Sequence, residues 1–165
     1  MIKILTDIVE LLETHKGLYD NLLQLSLSKR EALINSKVEE VDNIVSAEQL
    51  LIIRIGEIEN KRKKAIHELA TQLDIDDEKV TFDFVLGLLD EAEKHKFAEI
   101  KKSLSGTLND LYKYNKINTK LIETQLNYIS FSYELITGLK QNTAYNRAGT
   151  VKHNDSSLPL MDKKV

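Results

Sequence analysis

The feature of this sequence that most restricts its fold is the long distance over which nothing interrupts a helix. The only proline, Pro159, lies near the end of the 165-residue chain, and the six glycines are scattered. Proline breaks helices and glycine weakens them, so long helices meet almost no breaker between residues 1 and 140. With 42% apolar residues, the chain can form one all-α domain with a helical core.

Two long segments carry apolar residues at three- and four-residue spacings, which is typical of amphipathic helices. They cover residues 5–34 and 38–73. Asn35 and Ser36 interrupt the pattern, and Ser36 with Glu39 has the form of a capping box that starts the second helix. Because the connection is short, we expect a long antiparallel hairpin with a coiled-coil-like seam.

The rest of the chain predicts a short helix, a long helix and a tail. Residues 74–77 break the second helix, and Thr81 begins a short third helix that packs across the hairpin. A last long helix extends from about Glu93 to Lys140. We therefore expect a helical bundle or coiled-coil domain over residues 1–140 and a flexible, disordered tail over 141–165.

Composition and charge exclude several classes of function. The chain has no cysteine, which fits a reducing cytoplasm, and its net charge of -3 gives no basic footprint for nucleic acid. Asp7 and Glu10 interrupt the amino terminus before a signal peptide is complete. The longest uncharged stretch is the ten residues 124–133, which is too short for a membrane span. We expect a soluble cytoplasmic chain whose partners are proteins.

Nothing in the sequence supports enzymatic chemistry, so we predict no catalytic residue, no metal and no cofactor. The Glu-x-x-His and His-Glu-x-x-His patterns of helical metal sites are absent. The acidic run from Asp74 to Glu78 imitates a calcium loop, but Lys79 stands where such a loop needs glycine. We interpret all four histidines as surface or edge residues: His15, His67, His95 and His153.

Two further patterns concern the surface. The run 61–64 is basic, but Glu57 and Glu59 precede Lys61 and Lys63 by four residues, which favours a solvated face with salt bridges.

The last helix has a surplus of aromatic residues, which indicates either a partner-binding surface or packing against the third helix. These aromatic residues are Tyr112, Tyr114, Tyr128, Phe131 and Tyr133.

The order of motifs resembles the FlgN family of flagellar type III export chaperones over nearly the whole chain. The junction 29–41 resembles that family's turn between its opening helices. The second helix follows with matching acidic, leucine and arginine positions: Glu48, Leu50, Leu51, Glu59 and Arg62. In the last helix, Asn115 and Asn118 lie three apart on one face and lead into apolar residues. Thr143-Ala144-Tyr145 and Gly149 then follow, although the tail differs from the family's in length.

This resemblance implies a cytoplasmic chaperone that binds the C-terminal segments of hook-associated proteins, which form the hook-filament junction. Such a chaperone prevents premature assembly and delivers its clients to the flagellar export gate. The resemblance places the client contacts on the last helix and the gate contact on Tyr145. The implied client-binding residues are Asn118, Leu121, Ile122, Gln125, Leu126 and Ile129.

Two alternatives remain open from the sequence. The chain can be a chaperone for another flagellar subunit, although the asparagine pair argues against it. It can also be a structural coiled-coil adaptor, because the hairpin periodicity serves that role equally well. Exposed apolar helices also self-associate when no client is present, so a dimer in isolation does not separate these functions.

Overall fold

The structure, a computed structural model, describes residues 1–138 of the chain. These residues form α-helices and no strand, which confirms the all-α prediction. The described residues divide into a first unit, Met1–Leu126, and a second unit that begins at Asn127. The predicted tail over 141–165 lies outside the described residues. The elements are α1 (Ile2–Ile34), α2 (Val38–Leu73), a 3-10 helix (Asp77–Lys79), α3 (Phe82–Leu88) and α4 (Glu91–Thr137).

Helices α1 and α2 form the predicted antiparallel hairpin. Near the turn, Lys29 Nζ contacts Glu48 Oε2 at 2.6 Å. Further from the turn, His15 Nδ1 lies 4.0 Å from Glu59 Oε2. The contact that involves the higher-numbered residue of α1 therefore involves the lower-numbered residue of α2, which shows that the two helices are antiparallel.

The turn between the two helices differs from the predicted capping box. No side chain caps the start of α2, and Ser36 has a left-handed backbone with a φ of 55°. The main-chain N–H of Ser36 donates to the oxygen of Leu33, and that of Lys37 donates to the oxygen of Ala32. These two bonds form a Schellman motif, which satisfies the last carbonyls of α1. The capping-box prediction was wrong because Ser36 closes the preceding helix instead of opening the next.

The same motif ends α2. Asp74 also has a φ of 55°, its N–H donates to the oxygen of Thr71, and the N–H of Ile75 donates to that of Ala70. The acidic run that imitates a calcium loop then continues as the 3-10 helix, which confirms that it is a turn segment.

The apolar core lies at the end of the hairpin farthest from the turn. Helix α3 crosses this end, and its first turn is capped by Thr81, whose Oγ1 accepts from the N–H of Phe84. The rings of Phe82 and Phe97 stack with their centroids 4.0 Å apart. The buried cluster contains Ile4, Leu5, Ile8, Val9, Leu69, Ala70, Val80, Val85, Leu89, Phe97 and Ile100.

Helix α4 starts at Glu91, two residues earlier than predicted, because Asp90 Oδ1 accepts from the N–H of Glu93. As far as Leu126, α4 runs parallel to α1, which is shown by three hydrogen bonds at successive levels. Thr107 Oγ1 donates to Asp20 Oδ1, Asn118 Nδ2 donates to the oxygen of Ser26, and Gln125 Nε2 donates to that of Leu33. The first unit therefore has α1 between α2 and α4. Within residues 1–138, no helix combines the length and apolar character that a membrane span needs.

Two predictions about polar residues of the hairpin need correction. His15 is only 6% exposed, so it is not a surface residue, whereas His67 and His95 are exposed and His153 lies outside the described residues. Glu59 pairs with Arg62 at 2.7 Å instead of Lys63, because Arg62 turns inward on α2. Burial lowers the pKa of His15 from its ordinary value of 6.5, and the hydrogen bond from Arg62 lowers the pKa of Glu59.

Candidate partner-binding surface

Within the first unit, α4 carries two parallel stripes of residues spaced alternately three and four apart. One stripe faces α1 and is buried or half-buried: Thr107, Leu111, Tyr114, Asn118, Leu121 and Gln125. The second stripe lies about a quarter of a turn around the helix: Leu108, Tyr112, Asn115, Thr119, Ile122 and Leu126. Its four apolar members are exposed by 41%, 75%, 39% and 57%, in chain order. We call this second set the open stripe. A heptad stripe of this kind is the surface that coiled-coil helices present to one another.

The predicted client-binding residues divide between these two faces. Asn118, Leu121 and Gln125 belong to the stripe that faces α1, and Asn118 is 2% exposed. Ile122 and Leu126 belong to the open stripe. Ile129 lies in the second unit, where it is 61% exposed, and Tyr145 lies outside the described residues. Ile122, Leu126 and Ile129 are therefore exposed in the structure, and a client contact by any of the predicted residues stays a prediction.

Asn118 holds α4 against α1. Its Nδ2 lies 2.9 Å from the main-chain oxygen of Ser26 and 3.3 Å from Ser26 Oγ. A carbonyl oxygen can only accept, so this contact settles the orientation of the amide. Asn118 Oδ1 is buried and has no hydrogen-bond partner among the described residues. Its neighbour on the open stripe, Asn115, accepts from Ser26 Oγ through its Oδ1 at 3.1 Å.

A groove separates α2 from α4 beside these asparagines. Its floor contains Lys29 and Glu48, whose side chains are 14% and 12% exposed and are joined by contacts of 2.6 and 2.8 Å. The groove has a volume of about 290 Å³, which suits a few side chains of a partner. We call it the α2–α4 groove, and its lining residues are Leu22, Lys29, Glu48, Ile52, Asn115, Asn118, Thr119 and Ile122.

In the second unit, the described part of α4 carries a broad apolar face that covers more than half of its circumference. Glu134 is the only charged residue between 127 and 137. The apolar side chains there are exposed by between 45% and 85%: Tyr128, Ile129, Phe131, Tyr133, Leu135 and Ile136. An apolar helix face that is left exposed over such a width is typical of a surface that binds another protein. Of the two explanations for the aromatic surplus, the exposed surface is therefore the one that the structure supports.

The comparisons with known proteins identify the family of the chain. The family model described as FlgN protein matches residues 1–153. The chain belongs to the FlgN family. It is also similar to the "Uncharacterized protein YvyG" of Bacillus subtilis (strain 168), with 30% identity over 159 residues that cover 96% of this chain and 97% of the relative. No solved structure is a significant match.

Membership in the FlgN family implies a function of the flagellar export chaperone kind. Chaperones of this family bind flagellar proteins, so the expected partner is a flagellar protein. The family is not an enzyme family. In the part of the chain that the structure describes, no three His, Asp or Glu side chains gather closely enough to hold a metal ion.

Sequence reasoning missed part of the surface that this FlgN-family chain presents. Ile52 was not among the predicted residues, but it is 57% exposed and lines the α2–α4 groove. Leu108 was likewise not predicted as part of a binding surface, yet it is 41% exposed on the open stripe. The signal for the groove was a charged residue at an inward position: Glu48 stands between the apolar positions Ile44 and Leu51 of α2. Such a residue needs a buried partner, and that partner is Lys29.

Proposed function

We propose that this chain is a cytoplasmic flagellar export chaperone for the hook-associated proteins of the hook-filament junction. It binds their C-terminal segments, prevents premature assembly and delivers them to the type III export gate. The observation that carries this proposal is the exposed apolar surface of α4, because the family membership already provides a flagellar partner.

The chemistry of the surface fits such a client. A segment without its own core folds against an apolar helix by burying its own apolar face, and the entropy lost on ordering keeps the binding reversible. Ile122 and Leu126 in the first unit, and Ile129 in the second, supply exposed aliphatic side chains of the kind that helix-in-groove recognition uses.

The binding test is calorimetry of the full chain with peptides from the C termini of the two hook-filament junction proteins. We expect one-to-one binding at micromolar Kd or tighter. The double variant Ile122→Asp, Ile129→Asp should lose at least about 100-fold in affinity, because a partner would have to bury two carboxylates. Both positions are exposed, so the fold should persist.

The matched control is the double variant Thr124→Asp, Asn127→Asp. It adds the same two charges at exposed positions of α4 that lie off the open stripe. The control should bind as the wild type does. Equal losses in both variants, or no binding by the wild type, would overturn the client proposal and favour a coiled-coil adaptor. Binding only to another flagellar subunit would favour that alternative client.

The gate contact needs a separate test, and Tyr145 is the residue that we propose for it. Tyr145→Ala should reduce swimming motility while the calorimetric Kd for the client peptides stays unchanged. Undiminished motility would contradict a role at the export gate.

A further inference from the structure

The α2–α4 groove has a polar middle, and the open stripe continues beyond this middle with apolar side chains in both directions. At the middle level it presents the Lys29–Glu48 ion pair together with Asn115 and Thr119. Towards one end of the open stripe lie Leu108 and Tyr112, and towards the other lie Ile122 and Leu126, all of them exposed. This series of apolar, polar and apolar side chains extends once over about 19 residues of α4, or roughly 28 Å of helix.

We infer that this groove receives one helix of the client, and that this helix carries an uncharged polar side chain at its middle heptad position and apolar residues on either side. The helix would lie beside α2 and α4 and opposite α1, which completes a four-helix arrangement of the first unit. This inference rests on the proposed function, because it specifies what kind of client segment the surface accepts.

The polar middle of the groove determines which kind of side chain the bound helix can place there. Asn115 is exposed, and its Oδ1 is already engaged with Ser26 Oγ, so its Nδ2 can donate to a partner. An aliphatic residue placed there would cover this donor without satisfying it. A charged residue would be buried beside Lys29 and Glu48, which already neutralise each other, and would lack a counter-ion. Asn, Gln, Ser and Thr avoid both costs.

A polar residue at one inward position of a heptad stripe also fixes the register of the partner. The apolar ends supply most of the buried area, but they would tolerate a shift by one heptad. The polar middle level would not tolerate it, since a shift would bring an aliphatic side chain against Asn115 and Thr119. The groove therefore selects both the sequence and the alignment of the helix that it binds.

The test uses three synthetic amphipathic helices that are identical except for Asn, Leu or Glu at the middle heptad position. Fluorescence anisotropy with the full wild-type chain should show that the Asn peptide binds about 10-fold tighter than either of the others. The variant Thr119→Leu, which makes the middle level more apolar, should shift the preference towards the Leu peptide.

Thr124→Leu is the matched control. Both threonines are exposed on α4, and each donates its hydroxyl to the carbonyl four residues earlier, at 2.9 Å for Thr119 and 2.8 Å for Thr124. Only Thr119 lines the groove. The control should keep the preference of the wild type for the Asn peptide.

Equal affinity for the three peptides, no binding of any of them, or the same preference in Thr119→Leu as in the wild type would overturn the inference. A wild-type dimer that Thr119→Lys dissociates would also overturn it, because a second copy would then occupy the groove. Because the peptides contain no client sequence, client binding without peptide selectivity refutes only this inference. Peptide selectivity without client binding refutes only the proposed function.

Discussion

Asn118 on α4 donates a hydrogen bond from Nδ2 to the main-chain oxygen of Ser26 on α1, at 2.9 Å. This buried amide fixes the position of α4 halfway along the first unit, far from the apolar core that α3 covers. The face of α4 that remains open to a partner depends on this contact, since rotation of the helix would turn the open stripe away.

Replacement of Asn118 by Asp should strongly destabilise the fold. The change removes the donor to Ser26 and leaves a carboxylate in a site that is 2% exposed. We expect a loss of about 3 kcal/mol in the free energy of unfolding, measured by urea denaturation at neutral pH. Asn109→Asp, at an exposed position of the same helix, should change it by less than about 0.5 kcal/mol. Equal effects of the two substitutions would show that Asn118 is not a structural clamp.

The ion pair between Lys29 and Glu48 should couple strongly in a double-mutant cycle. Glu48→Ala leaves the half-buried ammonium of Lys29 without its partner, so we expect a loss of about 3 kcal/mol. The double variant Lys29→Met, Glu48→Met should come within about 1 kcal/mol of the wild type, because an apolar pair of similar size carries no desolvated charge. Additive losses in the cycle would contradict a direct interaction.

Ser36→Gly should stabilise the hairpin. Ser36 has a φ of 55°, and a left-handed conformation costs a residue with a side chain about 1 kcal/mol relative to glycine. Ser28→Gly, at an exposed position inside α1, should instead destabilise the chain by about 0.5 kcal/mol. The melting temperatures of the two variants should therefore move in opposite directions, and shifts of the same sign would argue against the Schellman turn.

Stability should fall as the pH decreases from 7 to 5, and His15 should be the main cause. Burial lowers the pKa of His15 below 6.5, and the neighbouring carboxylate of Glu59 only partly offsets this effect. The unfolded chain therefore binds a proton at this histidine more readily than the folded chain does. The contribution of His15 to the free energy of unfolding is fully present above pH 6.5 and is lost as the pH falls below it. Asp20 and Glu59 have lowered pKa values, so their contributions are lost only in stronger acid.

The variant His15→Gln tests this assignment. Its unfolding free energy should depend less on pH between 7 and 5 than that of the wild type. His95→Gln, at an exposed histidine, should retain the wild-type dependence. A steep dependence that survives in His15→Gln would place the sensitive group elsewhere.

The sequence was sufficient to predict the helices, because their apolar periodicity is long and almost without breakers. It did not predict their ends as well. Ser36 looks like a capping residue, and only the backbone conformation shows that it closes α1. Asp90 was overlooked as the start of α4, although Asp90 followed three residues later by Glu93 is a typical sequence signal of a helix start.

The candidate surface was predicted only in part for a similar reason. Periodicity shows that a helix has an apolar face, but it does not show which of two adjacent stripes another helix covers. Asn118 and Ile122 are one helical turn apart, yet one is buried against α1 and the other lies on the open stripe. His15 stands on the apolar stripe of α1, three residues after Leu12 and four before Tyr19, and this sign of burial was overlooked. Its neighbours Glu59 and Arg62 come from the other helix, so the sequence did not show them.

The most direct test of the central claim, that the exposed apolar surface of α4 binds the client, is amide hydrogen exchange of the full chain with and without a client C-terminal peptide. We expect slower exchange in α4 from Leu108 to Ile136 and in the part of α2 around Ile52, with little change in α3. Protection that appears at α3 or at the turn around Ser36, with α4 unchanged, would contradict it.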